Sequence, residues 1–400
     1  MEKYWITLFP ETFLWLKNDD GFIYNSKNFL SFHFKLDSYV RIKEICVELL
    51  ITDNLYTASL RNSDIECDKV KKWINSVIGI HAGYLTSSLE KKPVSLKPIL
   101  KLLNDVDYYT WDHFRGAGGN IIQNLHELTF YINNSGWGNN SYFKQTIFPI
   151  KNCAELEPKK IISFIRNSKN LFLSNINLVG NIFTYRNYQE LLLDDIPITI
   201  HLTMHDFENH IQQITETQWP DNIRFNILFY SKCNFSLEDF QSVNTSLSIT
   251  VIVTSEVEYN LFFEIFEGYH IHNDATIIPI YNGKNIDFFK AHVFADQNEF
   301  STISLTKRDI FMRQTLNISH FGKLIILPDN HVYANVNELP LGTIDNSPYS
   351  LVYKELTEGK SWLKIREDLP CRDCIYQWLC PSPSNYETII GRHNLCNFKI

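Results

Sequence analysis

The chain has 400 residues, 44% of them hydrophobic and 14% aromatic, with a net charge of −8. That length exceeds the roughly 250–300 residues at which one core stops growing, so more than one domain is expected. An acidic balance without a basic stripe argues against nucleic acid as a partner. No apolar run reaches the roughly 18 residues of a membrane span, and Met1–Trp5 lacks the basic-then-apolar order of a secretory signal, so a cytoplasmic protein is expected.

Residues 1–85 read as a small α+β module. Tyr4–Leu8 and Phe13–Leu16 are short apolar runs around a Pro10-Glu11 turn, and Asp19-Asp20-Gly21 turns into Phe22–Asn25. Phe29–Leu36 alternates as a strand does, with Phe32 and Phe34 on one face and His33 and Lys35 on the other. Asp37 or Ser38 can cap a helix carrying Ile42, Ile45, Cys46, Leu49 and Leu50. Strands followed by helices outline a winged-helix-like unit. From about residue 67 the chain reads as partly helical, passing into a connector at 86–125 with Lys-Pro steps at Pro93 and Pro98.

Between 126 and 322 the pattern changes. The predicted strands are Leu128–Ile132, Leu171–Leu178, Ile196–Leu202, Arg224–Phe229, Leu247–Val253 and Ala275–Ile280. Amphipathic helices are predicted between them at Pro158–Arg166, Tyr185–Leu193, Phe207–Thr215, Leu237–Val243 and Tyr259–Phe266. Such alternation predicts an α/β fold, a parallel sheet with helices outside, open or curled into a partial (β/α)6 barrel, with Pro279 marking an edge strand. Residues 323–400 read as short strands and turns.

Eight cysteines are distributed unevenly. Cys46, Cys67, Cys153 and Cys233 are scattered and read as small buried hydrophobes. The other four are spaced Cys371-x2-Cys374-x5-Cys380-x15-Cys396. Two thiolates two residues apart can face one metal from a tight knuckle, and two more close the site. Zinc and an iron–sulfur cluster both suit four thiolates, and spacing does not separate them. His393 reads as a neighbour of a site the cysteines already complete.

This arrangement resembles the SPASM domain, the C-terminal extension of many radical-SAM enzymes that modify ribosomal peptides. The resemblance implies that Cys371, Cys374, Cys380 and Cys396 hold one [4Fe–4S] cluster, with zinc as the alternative. A second cluster in that family uses a cysteine at the position of Ser384 and an upstream pair, which survive here as His331–Asn335 and Leu341–Ile344 without thiols.

Residues 126–322 resemble the radical-SAM partial barrel with its chemistry removed. The family's Cys-x3-Cys-x2-Cys loop follows the first strand, but Asn133–Asn140 contains no cysteine. Its Gly-Gly-Glu motif, which holds the amino group of S-adenosylmethionine, corresponds to Val179-Gly180-Asn181. The chain therefore resembles the pseudo-radical-SAM/SPASM proteins of Gly-Gly-leader, GG-Bacteroidales-type peptide-maturation systems, and is related in its tail to the SPASM maturases of grasp-with-spasm systems. That resemblance implies a degenerate radical-SAM-like barrel between a winged-helix-like module and a SPASM-like metal domain. It also implies a non-catalytic accessory role in ribosomal peptide maturation, without S-adenosylmethionine cleavage. The partners it implies are a precursor peptide with a Gly-Gly leader and a true radical-SAM maturase. The alternatives are an enzyme using the barrel for other chemistry, or a zinc-stabilised interaction protein.

Two other motifs stand apart. Gly116–Asn120 lacks the strand before it and the Gly-Lys-Ser/Thr after it that a phosphate cradle needs, and reads as a flexible entry to the barrel. His201, His205 and His210 straddle a strand end, where Asp206 is expected to cap a helix.

Overall fold

The computed structural model describes residues 3–37, 40–88, 91–99, 118–133, 141–151, 154–192, 195–230, 246–269, 275–296 and 298–397. The predicted helix at 237–243, Cys153, Cys233, most of the Asn133–Asn140 loop and the start of the glycine-rich segment lie outside these residues.

Two small sheets begin the chain. Strand β1 (Lys3–Leu8) runs antiparallel between β5 (Thr57–Leu60) and β6 (Gly83–Ser88). Strands β2 (Thr12–Lys17), β3 (Asp20–Asn25) and β4 (Ser31–Lys35) form a separate meander. Helix α1 (Val40–Leu50), the short α2 (Asn62–Glu66) and α3 (Asp68–Gly79) complete this unit. Ile42, Ile45, Cys46 and Leu49 recur on one face of α1, and they pack with Ile6, Leu14, Ile23, Trp73 and Val77. The stretch after residue 67, read from sequence as partly helical, is α3 and β6. It belongs here because β6 supplies the second edge partner that β1 requires.

The central sheet has nine strands in the order β12-β11-β10-β9-β8-β7-β13-β14-β15. Strands β7 (Glu127–Tyr131), β8 (Asn175–Val179), β9 (Ile198–Thr203), β10 (Ile223–Tyr230), β11 (Ser246–Val253) and β12 (Ala275–Pro279) are parallel, each beside its predecessor. The order never reverses, so every crossover advances in one direction. Right-handed crossovers then place the connecting helices on one face. Pro279 lies in the edge strand β12, where its missing N–H leaves no ladder bond broken.

Helices α4 (Pro158–Ser168), α5 (Met204–Glu216) and α6 (Glu256–Tyr269) connect the strands. Ile161, Phe164, Phe207, Ile214, Phe262 and Phe266 share one core with Phe130, Leu178, Ile200, Phe225 and Val251 of the sheet. Between β8 and β9 the predicted helix at 185–193 is replaced by two 3-10 turns, Ile182–Thr184 and Tyr188–Leu191. The Asn181 side chain accepts from the Phe183 N–H, and the Tyr185 hydroxyl donates to the carbonyls of Ile132 and Leu156. These local bonds compete with the helical ladder and hold the chain in turns.

Strand β13 (Lys323–Ile326) joins β7 in parallel, and β14 (His331–Tyr333) and β15 (Gly342–Thr343) continue antiparallel. The thiol-free segments His331–Asn335 and Leu341–Ile344 thus form a hairpin extending the central sheet. Helices α7 (Ile286–His292), α8 (Glu299–Thr302), α9 (Lys307–Arg313), α10 (Pro348–Glu358) and α11 (Asn385–Ile390) complete the chain. Trp362 is fully buried and donates from its indole to the Lys323 carbonyl, 3.0 Å away.

Candidate metal centre and the ends of the central strands

Strands buried on both faces usually read as unbroken apolar runs. Here the face away from the helices is polar. Asn177 donates to Thr129 Oγ1 at 3.2 Å and to Glu127 Oε1 at 3.1 Å. Its Oδ1 lies 3.0 Å from His201 Nε2, while Asn226 Nδ2 lies 3.0 Å from His201 Nδ1. Asn226 Oδ1 accepts from the hydroxyls of Ser248 (3.2 Å) and Thr250 (3.1 Å). With Asn226 donating, His201 carries its proton on Nε2 and is neutral. Burial pushes its pKa down to about 3. The result is a directed chain of hydrogen bonds across β11, β10, β9, β8 and β7.

A second network closes the C-terminal ends of these strands, the side on which open parallel sheets bind ligands. Asn133 donates to the Asn181 carbonyl (2.6 Å) and to Thr184 Oγ1 (2.7 Å), and accepts from the Asn181 N–H (2.9 Å). Asn181 also reaches Asp206 Oδ1 at 3.1 Å and His210 Nε2 at 3.2 Å. Gly180 has φ +124°, and a Cβ there would stand 2.5 Å from Asn133 Oδ1. The cap of α5 is Thr203, whose hydroxyl accepts from the Asp206 N–H and donates to the Asp206 carboxylate at 2.6 Å. Asp206, expected to be the cap, sits in the first turn because Thr203 already provides the oxygen. The three histidines separate: His201 lies in the sheet, His205 is exposed on α5, and His210 stacks on Phe183 at 4.6 Å.

The chain after β7 also covers this end. Phe148 is fully buried against Leu228, Ile252 and Ile280 and meets Tyr142 and Tyr230 edge-on. Gln145 exchanges two hydrogen bonds with the backbone of Tyr281, at 2.8 and 2.9 Å. Asn337 bridges the Lys144 carbonyl and Asn385, so the C-terminal region is fastened over the same loop.

The four predicted cysteines lie on the 3-10 turn Cys371–Asp373, the loop leading to α11 and the chain after it. All four are free thiols within electrostatic reach of one another. Three sulfurs receive N–H groups: Cys371 from Arg366 Nη1 (3.7 Å), Cys374 from the Tyr376 backbone (3.4 Å) and Cys396 from Asn394 Nδ2 (3.1 Å). The Cys371 thiol itself points to the His393 carbonyl at 3.6 Å, while the His393 ring is largely exposed beside Asp368. Burial raises the thiol pKa values of Cys371, opposed by Arg366, and of Cys374, opposed first by the Tyr376 N–H, and pushes Cys380 up to about 12.

Among the described residues, no three His, Cys, Asp or Glu side chains converge to hold one metal ion. The donor set nonetheless fits a thiolate-bound group. N–H donors aimed at sulfur are the partners a metal-bound thiolate keeps, and Arg366 supplies positive charge where four thiolates would repel. A cavity of about 290 Å³ opens beside Cys371, Arg366, Glu387 and His393.

Sequence reasoning missed Arg366. Its guanidinium is 8% exposed on the side chain and pairs with Glu387 at 2.7 Å. Glu387 is fixed in turn by a capping box with Ser384, a signal legible in Ser-x-x-Glu ahead of α11. Ser384 is thus the cap of α11.

No family model and no curated protein matches the chain. Solved structures do. The chain is similar to Streptococcus suis SuiB bound to the precursor peptide SuiA, at 11% identity and TM-score 0.44, over 100% of this chain and 99% of that one. It is similar to SuiB bound to S-adenosylmethionine at 10% identity and TM-score 0.40, over 98% and 99%. It is similar to hexahistidine-tagged anSMEcpe with bound AdoMet at 14% identity and TM-score 0.40, over 64% and 88%. Among the described residues, no helix is long and apolar enough to cross a membrane.

Proposed function

We propose that this chain is a cytoplasmic accessory factor in the maturation of a ribosomally made peptide. Its barrel is a binding scaffold without S-adenosylmethionine chemistry, and Cys371, Cys374, Cys380 and Cys396 hold a [4Fe–4S] cluster. The observation carrying this reading is the barrel mouth. Where Gly180-Asn181 stands in place of Gly-Gly-Glu, the strand ends are bound to one another through Asn133, Asn181 and Asp206. Phe148, buried against Leu228, Ile252 and Ile280, packs at the same strand ends. Groups that would serve a cofactor serve the fold instead.

The peptide partner would carry a Gly-Gly leader and be passed to, or held for, a radical-SAM maturase. The β4 edge supports such capture: among the described residues β4 pairs only with β3, leaving an edge to which an extended peptide can add as a strand. When bound, the cluster would supply one-electron transfer or structural bracing, and four thiolate ligands would leave no iron open to substrate.

Anaerobic purification tests the reading. Brown protein with about four irons, one per cluster position, that binds the precursor peptide and releases no 5′-deoxyadenosine from S-adenosylmethionine and dithionite is the expected result. Reductive cleavage by the isolated chain overturns the scaffold reading. Colourless protein with one zinc overturns the cluster reading in favour of a zinc-stabilised interaction protein.

A further inference from the structure

We propose that Arg366 and Glu387 form an opposed charge pair that sets the reduction potential of the group held by the four cysteines. Arg366 acts by donating to the Cys371 sulfur, and Glu387 by offsetting the charge that Arg366 brings. The proposal rests on the cluster reading above.

The geometry leaves this pair few other roles. Arg366 lies in the protein interior, so its charge is poorly screened and its field reaches both Cys371 and Cys380. Among the described residues, the guanidinium donates from Nη2 to Glu387 at 2.7 Å, from Nη1 to Cys371 Sγ at 3.7 Å and to the His393 carbonyl at 3.5 Å, and from Nε to the Pro381 carbonyl. Three of these four partners are in the cysteine-bearing loops or are a cysteine itself. Glu387 is equally fixed, since its other oxygen accepts from the Ser384 N–H and hydroxyl. A buried pair is weak evidence for stability, because desolvation opposes the attraction. A buried pair of which one member touches a ligand sulfur has an electrostatic consequence. Reduction adds negative charge to the cluster, so a nearby cation favours the reduced form and a nearby anion disfavours it. Removing Arg366 must therefore lower the potential, and removing the charge of Glu387 must raise it.

That opposition of sign is the test. Wild type, R366Q, R366K and E387Q are reconstituted anaerobically with iron and sulfide, assayed for iron, and titrated with dithionite while the reduced cluster is followed by electron paramagnetic resonance. The midpoint is expected to move down in R366Q, up in E387Q, and to remain near wild type in R366K. Shifts of the same sign, or no shift in fully loaded variants, would overturn the proposal, because a structural role would disturb both alike. If R366Q fails to hold iron, E387Q decides. Its glutamine keeps a carbonyl acceptor for the Ser384 cap, so an upward shift supports the pair and an unchanged midpoint defeats it. Wild-type protein that loads zinc and no iron removes the cluster reading and this inference together. Loaded iron with unmoved midpoints removes this inference alone.

Discussion

His201 has an asparagine on each side, one accepting from its Nε2 and one donating to its Nδ1, and this fixes its behaviour toward protons. Burial holds its pKa at about 3, against 6.5 for a free histidine. Between those pH values the unfolded chain takes up a proton that the folded chain refuses. Stability should therefore be greatest above pH 6.5 and fall as the pH drops toward 3, by at most about 1.4 kcal/mol per pH unit for one group. His320, pushed down to about 4 mainly by burial, acts in the same direction. Urea unfolding at pH 7.5 and pH 5 should show a smaller difference in H201Q than in wild type, and an equal difference would contradict a neutral buried ring. None of the inner-face asparagines was legible in the sequence. Asparagine is disfavoured in strands, so Asn177 and Asn226, although inside predicted strands, carry no local signal of a polar inner face. Their bonding depends on β8, β9 and β10 lying side by side. The cysteines were legible because their ligand spacing is local. Arg366 was not, since its partner lies 21 residues away and only the fold brings them together.

At the scale of elements, strands rich in β-branched and aromatic residues were predicted within a few residues: Leu128–Ile132 against Glu127–Tyr131, and Leu247–Val253 against Ser246–Val253. Leu171 and Phe172 were read into the next strand, but both are exposed and the strand starts at Asn175. Their apolar character carried no information about pairing. The place of β13 beside β7 was invisible because it depends on tertiary contact between segments far apart in the chain, such as Lys323 opposite Glu127. The turn after β8 makes a sharp prediction. Gly180→Ala forces an L residue into φ +124° and sets its Cβ against Asn133, at a cost of about 1–3 kcal/mol. A lowered thermal midpoint would check it, and a neutral result would show that the Asn133–Asn181 bonds can yield. Phe148→Ala should cost about 3–5 kcal/mol as a core truncation. On the scaffold reading it should leave S-adenosylmethionine uncleaved, measured as 5′-deoxyadenosine.

Across the whole molecule, the N-terminal meander and the cysteine loops share one core. Phe13, Phe22 and Tyr24 pack with Leu305, Ile310, Tyr376 and Leu379, and Cys374 and Cys380 pack against this hydrophobic core. Phe22 meets Tyr376 edge-on at 5.2 Å, Lys17 donates to the Arg372 carbonyl at 2.7 Å, and the Tyr24 hydroxyl exchanges hydrogen bonds with the Leu305 backbone. Loosening the cysteine loops should therefore loosen β2 and β3. On the cluster reading, chelating the metal or substituting Cys374→Ser is expected to raise amide hydrogen exchange in residues 12–25 well above that in β9 and β10. Equal protection with and without metal would show that the shared core stands alone.

This shared core also governs when the protein can finish folding. Tyr24 waits for a partner 281 residues further along the chain, and Phe22 waits for Tyr376. At synthesis rates of about 5–20 residues per second, that delay is on the order of tens of seconds. Throughout it the meander has left the ribosome with Phe13 and Phe22 still uncovered, a surface that a holding chaperone would bind. The meander is thus made well before the segment carrying Tyr376 and Leu379 that completes its core.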